Sequence, residues 1–310
     1  MRYSKKKAVS WIGRLLVLGS FIFIAVKIRQ YDVDFSVLTS LSVTAGLLLA
    51  ALVFGVSIFL TAFNFRWLLR VLSGVSVERG IAVTVYCGSN LYKYLPGNVM
   101  HFIGRNRLAI ETEELSHAQV AVATVMDNLF LCLAAVIISS LCAFDYFISF
   151  MRNINVSHLV LTAAGVIASI CVLLAVFFRR GMTTSLKKFF TIMENFRLAA
   201  MLRFLGVAII RLMVLAVTYF ATLVLLGQQV TPDMAPKIIG LFVLSWVAGF
   251  IMPGAPGGLG IREAILLMFM GDTLNESILL SSTIIHRVVC VLGDLSAYGI
   301  ALLYSKLKPT

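Results

Sequence analysis

The sequence predicts an all-α polytopic membrane protein: about six spanning helices plus two re-entrant helical hairpins in an inverted repeat, forming a single integral membrane domain over residues 1–310. Three observations carry this prediction. Of 310 residues, 60% are hydrophobic and 13% charged, whereas a soluble domain carries roughly 25% charged residues. Mean hydropathy is +0.98, too high for an apolar core to absorb while water bathes the rest. Apolar runs of spanning length recur along the chain, and two are interrupted by proline and glycine.

A spanning helix needs ~20 mostly apolar residues to cross ~30 Å of hydrocarbon. Six stretches qualify: Trp11–Ile28, Leu41–Phe63, His117–Ala143, His158–Phe178, Phe204–Leu226 and Ser277–Tyr304. The first follows a basic start (Arg2, Lys5, Lys6, Lys7). No small-residue cleavage site follows it, and Lys27 and Arg29 flank its far end, so it reads as an uncleaved span. Cys87, Cys132, Cys142, Cys171 and Cys290 are scattered through apolar stretches without metal-ligand spacing. They read as small hydrophobes.

Two further apolar regions are broken. Ile81–Ile110 contains Pro96-Gly97-Asn98, and Ile238–Met270 contains Pro253-Gly254-Ala255-Pro256-Gly257-Gly258. Proline removes a backbone donor and clashes with the preceding turn, while glycine favours bends. Each region therefore reads as two short helices joined at a tip. Broken backbone is tolerated at membrane depth only where protein or a wet cavity surrounds it.

Charge counting supports hairpins, or regions that cross twice, over single crossings. If both breaks turn back, the N-terminus and the loops 64–80 and 179–203 share one side. Those loops hold Arg66, Arg70, Arg79, Arg179, Arg180, Lys187, Lys188, Arg197 and Arg203. The other side holds Lys27, Arg29, Arg152 and Lys237. The positive-inside bias then puts both termini in the cytoplasm of a bacterial inner membrane. The net charge of +12 follows from those loops facing anionic lipid, and nucleic acid is not expected as a partner.

The breaks also resemble each other. Pro96-Gly97 is followed by Arg105, then by a span containing Asp127-Asn128. Pro253-Gly254 is followed at the same spacing by Arg262, then by a span containing His286-Arg287. Three spans separate the hairpins, so the second enters from the opposite face. Paired interrupted segments in two halves point to a transporter's binding site near the midplane. Helices starting after Asn98 and Gly257 would aim unpartnered N–H groups there. With Arg105 and Arg262 nearby, the expected ligand is an anionic group, most simply a phosphate.

Ionisable residues within spans are costly and face a cavity or a partner; here they are Asp127, Arg211, His286, Arg287 and Asp294. Asp294 follows Arg287 on the same helix face. Asp127 and Arg287 occupy matching positions and are expected either to pair across the two-fold axis or to line the path. Glu263 reads either as a counter-charge for Arg262 between substrate visits or as its permanent partner. His286 is titratable near neutrality, but a lone histidine is more often a packing residue. Lys93, between Tyr92 and Tyr94, fits either an interfacial anchor or the rim of the path, the anchor being favoured.

At these residues the chain resembles the lysylphosphatidylglycerol synthase transmembrane-region family. Tyr94-Leu95-Pro96-Gly97, Gly104-Arg105 and Ser116…Asp127-Asn128 resemble its first half; Pro253–Gly258 with Leu259-Gly260-Ile261-Arg262-Glu263 resembles its second. The resemblance covers nearly the whole chain. It implies a flippase-like membrane region, similar to that of the bacterial multiple peptide resistance factor, which moves aminoacylated phosphatidylglycerol between leaflets. A soluble aminoacyl-transferase domain is absent from this sequence, so synthesis of lysyl-lipid is not expected. Asp127-Asn128 stands where members carry Glu-Arg, a departure that bears on substrate identity.

Three functions follow as expectations. The first is a translocase for an anionic phospholipid or polyprenyl-phosphate-linked lipid, without cofactor or metal. The second is a non-catalytic accessory subunit presenting lipid to a glycosyltransferase. The third, a membrane-embedded lipid enzyme, wants clustered carboxylates or grouped His and Cys ligands, which 14 acidic residues and four scattered histidines do not supply. Expected partners are the lipid itself, a second copy of the chain, and a glycosyltransferase or other lipid-pathway enzyme.

Overall fold

A computed structural model describes residues 40–94, 100–112, 114–144, 148, 198–251 and 260–307. Every regular element among them is helical. In chain order these are α1 (Leu41–Ser73), α2 (Arg79–Asn90) with a 3₁₀ turn (Leu91–Tyr94), α3 (Met100–Arg105) and α4 (Arg107–Glu111). Then come α5 (His117–Cys142), α6 (Leu198–Leu225), α7 (Met234–Ile251), α8 (Ile261–Met270) and α9 (Glu276–Leu307). Of these, α1, α5, α6, α7 and α9 are long and apolar enough to cross a membrane. The expected spans Trp11–Ile28 and His158–Phe178 lie outside the described residues, as do the tips 95–99 and 252–259.

The helices sort their apolar residues into two faces. On α1, Phe54, Ile58, Ala62 and Phe65 are buried, while Leu48, Leu49, Leu52 and Leu60 are half exposed or more. Leu129, Leu133 and Val136 of α5 and Ile210 of α6 are exposed in the same way. Such continuous apolar surface is incompatible with water and suits lipid. The chain is an all-α polytopic membrane protein.

Helix α9 is the spine, packing along α1 and touching α2, α6 and α8. Its approach to α1 depends on glycine. A Cβ on Gly55 would lie 2.6 Å from the Gly293 carbonyl oxygen, and one on Gly293 would lie 2.9 Å from the Ala51 carbonyl oxygen. Small residues at such crossings let backbones close up where no hydrophobic force drives membrane helices together. A second crossing places Gly240 of α7 against Cys142 and Ala143, with the Ser139 hydroxyl donating to the Gly240 carbonyl at 3.1 Å.

Three expectations are corrected. Residues 64–73, read as loop, continue α1 to 33 residues, roughly 50 Å at 1.5 Å per residue. Phe65, Leu68, Leu69 and Leu72 form a buried stripe beneath Arg66 and Arg70, so this segment is amphipathic helix. Gly74 then ends it with φ of 73°, the left-handed conformation that glycine adopts without steric cost. Second, α6 starts at Leu198, and Arg203 lies on it, stacked 4.1 Å over the Trp67 ring. Third, the first arm of the second broken region is no half-helix. α7 spans 18 residues because Ile238–Ile251 holds no proline.

The two broken regions open towards opposite ends of the bundle. At one end gather Arg66, Arg70, Arg79 and Arg203; there Gly80, opening α2, lies against Ser305 near the end of α9. At the other end Leu225 of α6 packs on Gly46 of α1. The Asn275 N–H, just after α8, donates to Gln228 Oε1, just before α7, at 3.2 Å. Within each region the chain folds back on itself, α3 and α4 on α2 and α8 on α7.

Gly293→Leu is expected to cost about 1–3 kcal/mol, because backbone lies where the side chain must go. Gly206→Ala, where nothing lies within 4 Å, is expected to gain up to ~1 kcal/mol from helix propensity. Thermal unfolding of the detergent-purified variants measures both.

Candidate functional site

Three buried carboxylates organise the interior. Asp127, on α5, receives Arg105 Nη1 at 2.9 Å and the Tyr86 hydroxyl at 3.2 Å, both on Oδ2. Arg105 closes α3 and is 1% exposed. Its guanidinium lies 4.2 Å from the Tyr86 ring centroid and 4.9 Å from that of Phe65, and its Nη2 reaches Asn90 Oδ1 at 3.4 Å. Arg211, on α6, donates from Nη1 to the Tyr86 hydroxyl at 3.0 Å. Gly104 makes the approach of α3 to α2 feasible: a Cβ there would meet Tyr92 and Ser89 at 3.0 Å or less.

Glu263 and Asp294 anchor the second region. Glu263, 5% exposed on α8, takes Arg287 Nη2 of α9 at 2.9 and 3.3 Å on its two oxygens. Its Oε2 also accepts the Gly260 N–H at 2.9 Å, satisfying one of the orphan donors that open α8. Asp294, fully buried on α9, pairs with Lys93 Nζ at 2.6 Å and accepts from the Tyr94 hydroxyl. The 3₁₀ turn of the first region is thus tied to the helix that follows the second. Nearby, His101 of α3 faces Phe250 of α7, ring centroids 6.1 Å apart. The two broken regions therefore meet inside the bundle.

Arg262 stands apart. It is the second residue of α8 and makes no ion pair with any described residue. Its Nε is buried without a hydrogen-bond partner, and its guanidinium carbon lies 6.0 Å from the Trp246 ring centroid. Two residues before it lies Gly260 at φ of 84°, a conformation L side chains resist. The Pro253–Leu259 stretch that leads into Gly260 lies outside the described residues.

These contacts settle several alternatives. Asp127 and Arg287 do not pair with each other; each takes the charge of the short helix just before its own span. Linear matching missed this because the nearest opposite charge comes from within the same half. Glu263 is the partner of Arg287 and not of Arg262. Lys93 is no interfacial anchor, since its ammonium turns inward to Asp294. His286 packs: Nε2 lies 3.0 Å from Thr218 Oγ1, with Tyr219 and Phe242 edge-on at 5.5 and 5.2 Å. The second helix begins at Ile261, later than expected, while Pro96, Gly97, Asn98, Pro253, Gly254, Gly257 and Gly258 lie outside the described residues. Sequence reading missed Tyr86 and Asn90, whose polar ends are invisible in an apolar run.

No family model matches the chain, and no curated protein matches it.

Breaking a buried ion pair by removing one partner costs about 3–5 kcal/mol, because the other charge is stranded. Glu263→Gln is therefore expected to lower stability strongly, and the Glu263→Gln, Arg287→Gln double variant to recover most of the loss. Arg262→Gln strands no carboxylate and is expected to leave stability within about 1 kcal/mol. Melting temperatures of these variants and of Arg287→Gln separate this from an Arg262–Glu263 pair, which predicts the reverse ranking for Arg262→Gln and Arg287→Gln.

Proposed function

We propose that this chain is a lipid translocase, a stand-alone member of the lysylphosphatidylglycerol synthase transmembrane-region family. It moves an anionic phospholipid or a polyprenyl-phosphate-linked lipid between leaflets and catalyses no covalent step. The observation that carries the reading is Arg262, a guanidinium inside an apolar bundle with no carboxylate of its own. A cation without an ion-pair partner is costly in such surroundings, and a phosphate bound through two parallel N–H contacts is the natural complement of a guanidinium. Opposite openings of the two broken regions support an inverted repeat, with Arg105 and Arg262 following the break in each.

On this reading the end bearing Arg66, Arg70, Arg79 and Arg203 faces the cytoplasm of a bacterial inner membrane, with both termini on that side. A cysteine at Gln228 then labels from the periplasm, and one at Lys187, outside the described residues, from the cytoplasm. Labelling of position 187 from outside would invert the topology and end the hairpin reading.

The deciding experiment is transport in proteoliposomes carrying fluorescent phosphatidylglycerol, scored by accessibility to a reductant added outside. Arg262→Ala is expected to slow transbilayer movement roughly tenfold or more, the loss of one charge-assisted contact. Arg262→Lys keeps the charge without the planar fork and falls between. An accessory subunit that only presents lipid predicts binding without movement in every variant, the wild type included.

A further inference from the structure

Where α1, α5 and α6 meet, a cleft lies beside the first charge cluster, away from Arg262. Its accessible core is about 10 Å³, lined by Thr61, Asn64, Asp127, Phe130, Phe204 and Arg211 among others. That volume admits one oxygen-sized group, and the cleft opens at one side.

Its polar atoms are unspent. Arg211 makes one hydrogen bond, through Nη1; its Nε and Nη2 have no partner among the described residues, and neither is sealed from the cleft. Asn64 is only 7% exposed, yet neither atom of its amide has a partner; Oδ1 is sealed and Nδ2 is not. Thr61 gives its proton to the Ser57 carbonyl at 2.7 Å, so its oxygen can only accept. Asp127 has both its bonds on Oδ2, leaving Oδ1 open. The cleft thus offers donors from Arg211 and Asn64 and acceptors from Asp127 and Thr61.

Charge decides what belongs there. Arg105 and Arg211 carry two positive charges against one on Asp127, an excess of one in apolar surroundings. Water fits the volume but cannot neutralise that excess. A bare dianion such as sulfate suits the arginine but has no proton for Asp127 Oδ1. A group that pairs an oxyanion with a hydrogen-bond donor satisfies Arg211, Asn64 and Asp127.

We propose that the α1–α5–α6 cleft is a second oxyanion site, its core taking one phosphate oxygen on Arg211 and Asn64 while an adjacent hydroxyl, at the open side, meets Asp127. Two ligands share this chemistry: hydrogen phosphate, whose own proton is the donor, and a phosphodiester headgroup bearing hydroxyls, such as phosphatidylglycerol. The site stands whether or not Arg262 serves transport.

Equilibrium binding of labelled inorganic phosphate to the full chain in neutral detergent tests the proposal, alongside binding to nanodiscs containing either phosphatidylglycerol or only phosphatidylcholine. The wild type is expected to bind phosphate or phosphatidylglycerol saturably and to prefer phosphate over sulfate by roughly tenfold or more, the cost of an unmade bond to a buried acceptor. Arg211→Gln should weaken binding by a similar factor. Asn64→Leu breaks no bond within the protein, so it should weaken binding without lowering the melting temperature. Selective uptake of phosphatidylglycerol assigns the site to a headgroup; uptake of free phosphate alone assigns it to the ion. Binding that Arg211→Gln and Asn64→Leu both leave intact, or a wild type that binds neither ligand, overturns the proposal. Either result leaves the transport test of Arg262 untouched, because that test reads lipid movement and not occupancy of this cleft.

Discussion

A charge inside an apolar bundle has to be answered locally, and most of this architecture follows from how the chain meets that demand. Asp127, Glu263 and Asp294 are almost fully buried, and each is matched by a cation within 2.9 Å. Every match crosses between elements: α5 to α3, α8 to α9, and α9 to the 3₁₀ turn before the first break. Short helices such as α3, with six residues, cannot hold themselves; isolated helices below ~12–15 residues are marginal. The ion pairs fix them to helices of 26 and 32 residues that can. Removing one partner leaves a stranded charge, so the staples resist piecemeal change.

Backbone proximity is the second condition. The glycines at the α1–α9 and α5–α7 crossings bring the long helices that carry the ion pairs close to their neighbours. The Gly55–Gly293 crossing lies next to the charge system, since Asp294 follows Gly293 directly and Phe54 lies under the Lys93 ammonium at 5.7 Å. A bulkier residue at either glycine would separate α1 from α9 and draw Asp294 away from Lys93 and Tyr94. Packing and electrostatics are thus one constraint at this point.

Much of the fold was legible because hydrophobic runs of spanning length have few other uses. α5 and α9 start and stop within three residues of the apolar runs that announce them. α1 was underestimated because Arg66 and Arg70 look like loop residues; the buried stripe of Phe65, Leu68, Leu69 and Leu72 at helical spacing was the available signal. The pairing scheme was less legible. Matching Pro96 with Pro253 aligns Arg105 with Arg262, which hides that the partner of the following span is Arg105 in the first half but Glu263, one residue on, in the second. Polarity is reversed between the halves: a short-helix cation meets Asp127, and a short-helix anion meets Arg287. Spacing conserves position but not sign, so only the assembled contacts could show it. Tyr86 and Asn64 gave no signal, being single polar residues within apolar helices.

That reversal explains where the unanswered charge falls. Counting Lys93, Arg105, Arg211, Arg262 and Arg287 against Asp127, Glu263 and Asp294 leaves an excess of two positive charges. In the first half the short-helix arginine is consumed by Asp127, so the excess settles on Arg211 of the long helix. In the second half Glu263 takes the long-helix Arg287, and the excess settles on Arg262 of the short one. Each surplus cation still has a carboxylate close by: Asp127 lines the cleft of Arg211, and Glu263 follows Arg262 in sequence. A fully naked arginine in so dry a setting would hold a phosphate too firmly to release it. Passage requires binding strong enough to draw the ligand in and weak enough to let it leave. A carboxylate beside each surplus cation tempers its attraction without cancelling it, which, if the proposed transport holds, is the electrostatic form of stations along a path rather than of a permanent site.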